Sequence, residues 1–180
     1  MTASAVVHVA TAEIETPIGT MIAGASETHL VLFEFPHRRM MATQLDRVRH
    51  ALNCELAAGE SPVFATLRAQ LEEYFAGRRR EFTVPLSAPG TPFQMRVWDE
   101  LQRIPCGTTT SYARLAAAIG EPNAVRAVAA ANGDNRIAIL IPCHRVIGSN
   151  GELVGYGGGL WRKKKLLELE SRAETLSLFD

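Results

Sequence analysis

Five uncharged residues, Ile137-Ala138-Ile139-Leu140-Ile141, run into Pro142 and deliver Cys143-His144-Arg145. An apolar run of that length, halted where proline restricts φ, suits a buried strand or extended segment, and it positions Cys143 through the backbone. A thiol attacks as thiolate, and an ordinary cysteine, with a pKa of about 8.5, is mostly protonated at neutral pH. A nucleophilic Cys143 therefore needs a base, and His144 is adjacent. In an extended segment neighbouring side chains point to opposite faces, so the proton would pass through one water or through a turn. The plain alternative is an inert cysteine acting as a small hydrophobe.

The chain has 180 residues, enough for one medium domain or two small ones. Met1 to Ala12 has neither a basic start nor a long apolar core. No secretory signal is expected, and the expected location is the cytoplasm, with the nucleoid if the source is bacterial. Cys54, Cys106 and Cys143 include no C-x-x-C pair, which argues against a disulfide framework or a four-cysteine zinc site. His8, His29, His37 and His50 read as solvated or structural, and no metal is expected. Net charge is zero, which argues against a strongly electrostatic nucleic-acid binder, yet the halves differ. From Ser87 to Arg172 there are eleven Lys and Arg against seven Asp and Glu, a net of +4. Residues 1 to 86 hold eight against ten, so the second half is the one suited to phosphate.

In chain order, Val7-His8-Val9, Ile14, Met21-Ile22-Ala23 and Leu30 to Phe33 read as short strands of an antiparallel sheet. Leu45, Val48, Leu52 and Leu56 predict a helix over Met41 to Leu56, and Phe64, Leu67, Leu71 and Phe75 predict another over Pro62 to Phe75. Gly77 stops the second, and Phe82 to Leu86 reads as extended. Ser87-Ala88-Pro89-Gly90 marks a domain boundary, giving domains at 1–86 and 87–172 with a flexible tail, 173–180. Thr91-Pro92-Phe93-Gln94 is an N-cap with proline at N1, opening a helix through Leu101.

Two short helices, Ser111 to Ile119 and Asn123 to about Asn132, have helix-turn-helix spacing within 111–132. Ala124, Ala127, Ala129, Ala130 and Ala131 strip the second of bulk and leave Arg126 near its start, so a duplex backbone can come close. An ordinary hairpin packed on its alanines reads equally well from these residues alone. The active-site segment spans 135–159 and ends in Gly157-Gly158-Gly159, bare backbone that admits a flat ligand. Trp161 to Glu170 reads as a closing helix, with Lys163-Lys164-Lys165 on its solvated side and Glu170 able to return to His144. Cys106, in the repeated Ile-Pro-Cys, has no base beside it and reads as structural.

Ile-Pro-Cys-His-Arg-Val, the later Gly-Tyr-Gly-Gly-Gly, Ser-Tyr-Ala-Arg-Leu-Ala and Val-Arg-Ala-Val-Ala together resemble the O6-alkylguanine-DNA alkyltransferases, from Thr91 to about Glu170. The resemblance implies an α/β (α+β) fold: a small ribonuclease-H-like sheet-and-helix domain, then a mostly helical, winged-helix-like catalytic domain. It implies DNA repair by irreversible, single-turnover transfer of an alkyl group from O6 of guanine, and O4 of thymine, to Cys143 after base flipping, the activity of a methylated-DNA-protein-cysteine S-methyltransferase. No cofactor is expected.

On that resemblance Cys143 takes the alkyl group, His144 takes the thiol proton through water, Glu170 orients the imidazole and Asn135 holds the turn. Tyr112 would bond the extruded guanine and Arg126 would fill the gap in the duplex. Thr110, Ser111, Asn123, Ala127, Ala129 and Ala130 would meet DNA. The carbonyls of Cys143 and Val146 would take the exocyclic amine, with Tyr156, Gly157 and Gly158 lining the pocket and branched Val154 narrowing it in favour of methyl. Alternatives are a non-catalytic alkylated-DNA damage binder, a helix-turn-helix regulator and a cysteine hydrolase. Partners are double-stranded DNA and, through the clamp-binding pattern of Thr175, Leu176, Ser177, Leu178 and Phe179, the replication sliding clamp; a monomer, cooperative on DNA, is expected.

Overall fold

The N-terminal sheet begins with β1 (Val7–Ile14), β2 (Met21–Ala25) and β3 (Leu30–Glu34), antiparallel in order. The structure is a computed structural model that describes residues 7–177, with side chains as far as 172. Helix α1 (Met41–Leu52) ends earlier than its apolar spacing predicts, and the residues that follow form β4 (Cys54–Ala58), parallel to β1. Asn53 makes the break: it adopts a left-handed φ of 45°, which asparagine tolerates better than most residues. Leu56 fits a helical period and a strand alternation equally, and the edge of β1 supplies the partner that decides it. The sheet order is β3-β2-β1-β4, so the predicted antiparallel sheet gains a fourth, parallel strand.

Helix α2 (Pro62–Phe75) starts where Ser61 accepts a hydrogen bond from the Val63 amide, with proline at N1. Its buried face, Val63, Phe64, Leu67, Leu71 and Tyr74, joins the main core. The free edge of β3 is covered from both parts of the chain: Leu30 bridges to Leu86, at the end of the first, and Phe33 to Ile137, in the second. An open edge invites pairing with foreign strands, and here the linker and the active-site segment occupy it.

Helix α3 (Pro92–Leu101) opens with a full capping box between Thr91 and Gln94. A short β5 (Thr110–Ser111) leads into α4 (Tyr112–Ala118), and α5 (Val125–Gly133) follows after a turn at Gly120, whose φ is +78°. Trp98 Nε1 donates to the Ala131 carbonyl at 2.8 Å and locks α3 to α5.

The run 137–141 is fully buried, as an uncharged stretch demands, but it is not a strand. After the bridge at Ile137 it reverses: the Ile141 amide bonds the Ile137 carbonyl, the Leu140 amide bonds that of Ala138, and Ile139 takes a φ of +72°. β3 accepts one rung only, so the segment must turn. It then enters a 3₁₀ turn, Cys143–Arg145, and β6 (Val146–Ile147), which lies parallel to β5. Leu153 to Tyr156, predicted extended, is irregular.

The closing helix, α6 (Leu160–Ser177), is longer than predicted. The expected tail thus begins inside a helix: Thr175, Leu176 and Ser177 belong to α6, whereas Leu178, Phe179 and Asp180 lie outside the described residues. Among the described residues no helix is long and apolar enough to cross a membrane, and no three His, Cys, Asp or Glu converge as metal ligands.

Thr91→Ala deletes one half of the capping box. The expected loss is about 1 kcal/mol in urea-induced unfolding, with Thr91→Ser close to the parent; an unchanged midpoint in Thr91→Ala would mean that the cap contributes nothing.

Candidate active site

Cys143 is 6% exposed at the first position of the 3₁₀ turn. The turn, in place of the predicted extended segment, carries the following side chain inward to α6. His144 Nε2 meets Glu170 Oε1 at 2.8 Å, with both groups buried. Burial holds His144 below its usual pKa, against the opposing pull of Glu170, so the ring is neutral near pH 7. A neutral ring that donates from Nε2 to a carboxylate leaves Nδ1 as a basic lone pair. Nδ1 is buried and has no hydrogen-bond partner.

Glu170 is 1% exposed and surrounded by donors. Arg145 grips it twice, Nε to Oε2 and Nη2 to Oε1, each at 2.9 Å. Tyr74 Oη donates to Oε1 at 2.7 Å, and the Gly107 amide to Oε2 at 3.2 Å. Burial alone would raise its pKa, but bonds and charge from His144 and Arg145 outweigh that and hold it well below the carboxylate range.

Burial pushes the Cys143 thiol up to about 11; Glu34 adds to this, while the Asn135 amide and the charges of Arg38 and Lys163 oppose it. At pH 7 ionising it costs about 5 kcal/mol, at 1.36 kcal/mol per unit. A base at hand is therefore a requirement. Asn135 braces the approach to the thiol: its Nδ2 donates to the Ile141 carbonyl at 2.7 Å, and its Oδ1 accepts from the Ile137 amide at 3.0 Å.

Lys163 departs most from the sequence reading. It is completely buried, and its Nζ donates to the carbonyls of Val146 and Val154 at 2.6 Å and of Gly155 at 3.3 Å. Only Lys164 and Lys165 of the triplet are solvated, both facing Glu168. Burial lowers the pKa of Lys163 to about 8. Helical spacing to Leu166 and Glu170, both buried, was the available signal.

A cavity of about 10 Å³ touches Cys143, walled by Glu34, Arg38, Asn132, Ala138 and Tyr156 among others. Beside it a cleft of about 330 Å³ is lined by Arg38, Tyr112, Ala129, Asn132, Tyr156 and Gly157 among others. Arg38 lies across both: it pairs with Glu34, donates to the Asn135 carbonyl at 2.9 Å and also bonds the Gly133 carbonyl. A Cβ on Gly158 would sit 2.6 Å from the buried Phe35 ring, so that position requires glycine, whereas one on Gly157 would meet only the guanidinium end of Arg38, which can shift. A larger cavity, about 810 Å³, is walled by Arg80, Ile104, Cys106, Leu140 and Arg145 among others, and Cys143 takes no part in it.

The other expected residues fall into two groups. Arg126, Ala127, Ala130 and Asn123 are exposed on or near α5, with Ala129 half-buried. Thr110 and Ser111 form β5, and the Ser111 hydroxyl caps α4. Tyr112 Oη bonds the Val154 carbonyl at 3.3 Å, and the hydroxyl of Tyr156 is buried without a partner. Val146 is buried with its carbonyl on Lys163. The Val154 side chain, 39% exposed, is in neither cavity wall; its carbonyl is the part engaged. Sequence reasoning passed over Glu34, Arg38, Tyr74 and Lys163, and assigned Arg145 no task.

Two family models match the chain: the 6-O-methylguanine DNA methyltransferase ribonuclease-like domain over residues 9–88, and the DNA binding domain of the same family over residues 92–172. A constitutive methylated-DNA–protein-cysteine methyltransferase of Bacillus subtilis is 45% identical over 156 residues, covering 85% of this chain and 89% of the relative. One from Mycobacterium leprae is 53% identical over 123 residues, 67% of this chain and 74% of the relative. The crystal structure of Mycobacterium tuberculosis OGT in complex with DNA superposes with a TM-score of 0.77 at 42% identity, covering 97% of this chain and all of that one.

Lys163→Met leaves three carbonyls without their shared donor. The expected cost is about 2–4 kcal/mol in urea unfolding, and a loss under about 0.5 kcal/mol would show that water replaces the ammonium.

Proposed function

The chain belongs to the 6-O-methylguanine DNA methyltransferase family, and on that premise we propose that Cys143 is the residue that accepts the alkyl group. The protein repairs DNA by transferring an alkyl group to a cysteine. The observation that carries the assignment is the unpartnered Nδ1 of a neutral His144, backed by Glu170, one residue from a buried thiol.

His144 Nδ1 takes the thiol proton through one water. The thiolate attacks the carbon on guanine O6, a C–S bond forms as the C–O bond breaks, and the electron pair leaves with the base. Tyr112 donates to the departing guanine, and Asn135 keeps the turn in register. The thioether has no leaving route in this site, so each molecule acts once.

An alkyl group on O6 is inaccessible inside a stacked duplex, and the base has to be turned out at a cost of a few kcal/mol. The exposed alanines of α5 let the duplex approach, and exposed Arg126 takes the vacated space. Guanine does not fit a space of about 10 Å³. Entry therefore requires Arg38 and the loop 155–158 to part. O4-alkylthymine is a second substrate. Domains at 1–86 and 87–172, a monomeric state, cooperative DNA binding and a cytoplasmic location complete the reading. The sliding-clamp contact through Thr175 to Phe179 rests on sequence alone.

Incubation with an equimolar duplex carrying one O6-methylguanine is expected to add one methylene to the intact mass, on the peptide holding Cys143. Cys143→Ala gains nothing. Unchanged mass with tight binding would make the protein a damage binder instead.

The transfer rate is expected to fall only at pH values under the usual histidine range, because burial lowers the His144 pKa and the ring ceases to be a base once protonated. Glu170 pulls the His144 pKa upward against burial, so Glu170→Gln moves the acid limb to lower pH and cuts the maximum rate by at least about tenfold. An acid limb that stays in place would detach Glu170 from the proton relay.

A further inference from the structure

Five donor atoms surround the Glu170 carboxylate, whose two oxygens offer about four lone pairs. Oε2 accepts from Arg145 Nε at 2.9 Å and the Gly107 amide at 3.2 Å. Oε1 accepts from the other three: Tyr74 Oη at 2.7 Å, His144 Nε2 at 2.8 Å and Arg145 Nη2 at 2.9 Å. The imidazole of the relay therefore shares one crowded oxygen with a phenol, and the phenol holds the shorter bond.

Tyr74 is fixed in that place. It is 1% exposed near the end of α2, with the Phe75 ring edge-on at 5.3 Å and the Phe82 ring tilted at 5.2 Å between centroids. Burial, with Glu170 adding to it, holds the phenol well above its usual pKa, so it stays a donor through the neutral and acidic range. The other charged or titratable groups facing the His144–Glu170 pair are Arg145 and Lys163, and Cys106 with Arg80 behind it. A change confined to the Tyr74 hydroxyl leaves all four in place.

A donor on a carboxylate oxygen disperses its charge and weakens its hold on a second donor. An imidazolium, whose bond to the carboxylate is charge-assisted, loses more by this than a neutral ring does. The Tyr74 hydroxyl thus makes protonated His144 less favourable than Glu170 and Arg145 alone would make it. We propose that Tyr74 is a positioning residue for alkyl transfer: through Glu170 Oε1 it sets the strength of the bond to His144 Nε2 and extends to lower pH the range over which Nδ1 can take the thiol proton. The role rests on the alkyl-transfer reading above. It gives α2 of the sheet domain a part in chemistry that takes place in the other domain.

The test measures the pH dependence of single-turnover methyl transfer from a duplex carrying O6-methylguanine, together with the resonance of the His144 Nε2 proton in the free protein at pH 7. Tyr74→Phe keeps the ring and removes the hydroxyl. Its acid limb is expected to move up by about one pH unit, and the Nε2 proton to move downfield as the bond to Glu170 shortens. Placing 3-fluorotyrosine at position 74 makes the phenol a stronger donor and should move both readouts the opposite way. The position of the limb does not depend on the folded fraction, and the proton resonance decides the matter for any variant that unfolds before its limb is reached. A limb and resonance that stay in place in Tyr74→Phe, whatever the loss of rate or stability, overturn the proposal and leave Tyr74 a packing residue; shifts of the same sign in both variants overturn it as well. No methyl transfer by the wild-type chain, with the resonance moving as expected, would instead sink the alkyl-transfer reading and leave the coupling of Tyr74 to His144 standing.

Discussion

A single buried carboxylate, Glu170, holds the site together. It takes two bonds from Arg145 and one each from His144, Tyr74 and the Gly107 backbone. These donors come from the 3₁₀ turn, from α2 of the sheet domain and from the loop after α3. An ion removed from water is tolerated only when its lone pairs are filled, and deleting one partner of a buried pair typically costs about 3–5 kcal/mol. The same requirement makes Glu170 both a structural junction and the orienter of the imidazole. Repair chemistry and domain packing thus draw on the same side chain.

A second junction joins the sheet domain to the segment between α5 and the thiol. Arg38 reaches the carbonyls of Gly133 and Asn135, Gln44 bonds the Asp134 carbonyl and Arg136, and Arg47 pairs with Asp134. From the helical domain itself, Gln94 bonds the same aspartate at 3.0 Å. Helix α5 and the turn that carries Cys143 are separated by this short segment alone. Its geometry is therefore set by residues some ninety positions earlier, as the separation of 97 between Arg38 and Asn135 shows.

Local signals survived the passage from sequence to structure. Thr91, Pro92 and Gln94 announce a helix start because the cap is complete within four residues, and Pro62 to Phe75 reads clearly because a single face is apolar. The pairing of His144 with Glu170 was legible through the resemblance, although the 3₁₀ turn that aims the imidazole was not. Errors arose where a distant partner decides the outcome. Leu56 became strand because the edge of β1 was free, and Ile137 to Ile141 turned because β3 accepts one rung. Lys163 was misread because its three acceptors come from backbone, which leaves no trace in residue type, and helical spacing to Leu166 and Glu170 was the one signal of its burial. Arg38 and Glu34 escaped notice for a related reason: the site they cover lies in the other domain.

The elevated pKa of Cys143 has a consequence for the protein between encounters with damage. A reagent that works once is lost to any electrophile or oxidant that reaches it first. Oxidation and adventitious alkylation both proceed through the thiolate and scale with exposure. A thiol pushed up to about 11, 6% exposed and facing a cavity of about 10 Å³, has little of either. The burial that makes deprotonation costly thereby also shields the unreacted thiol from such losses.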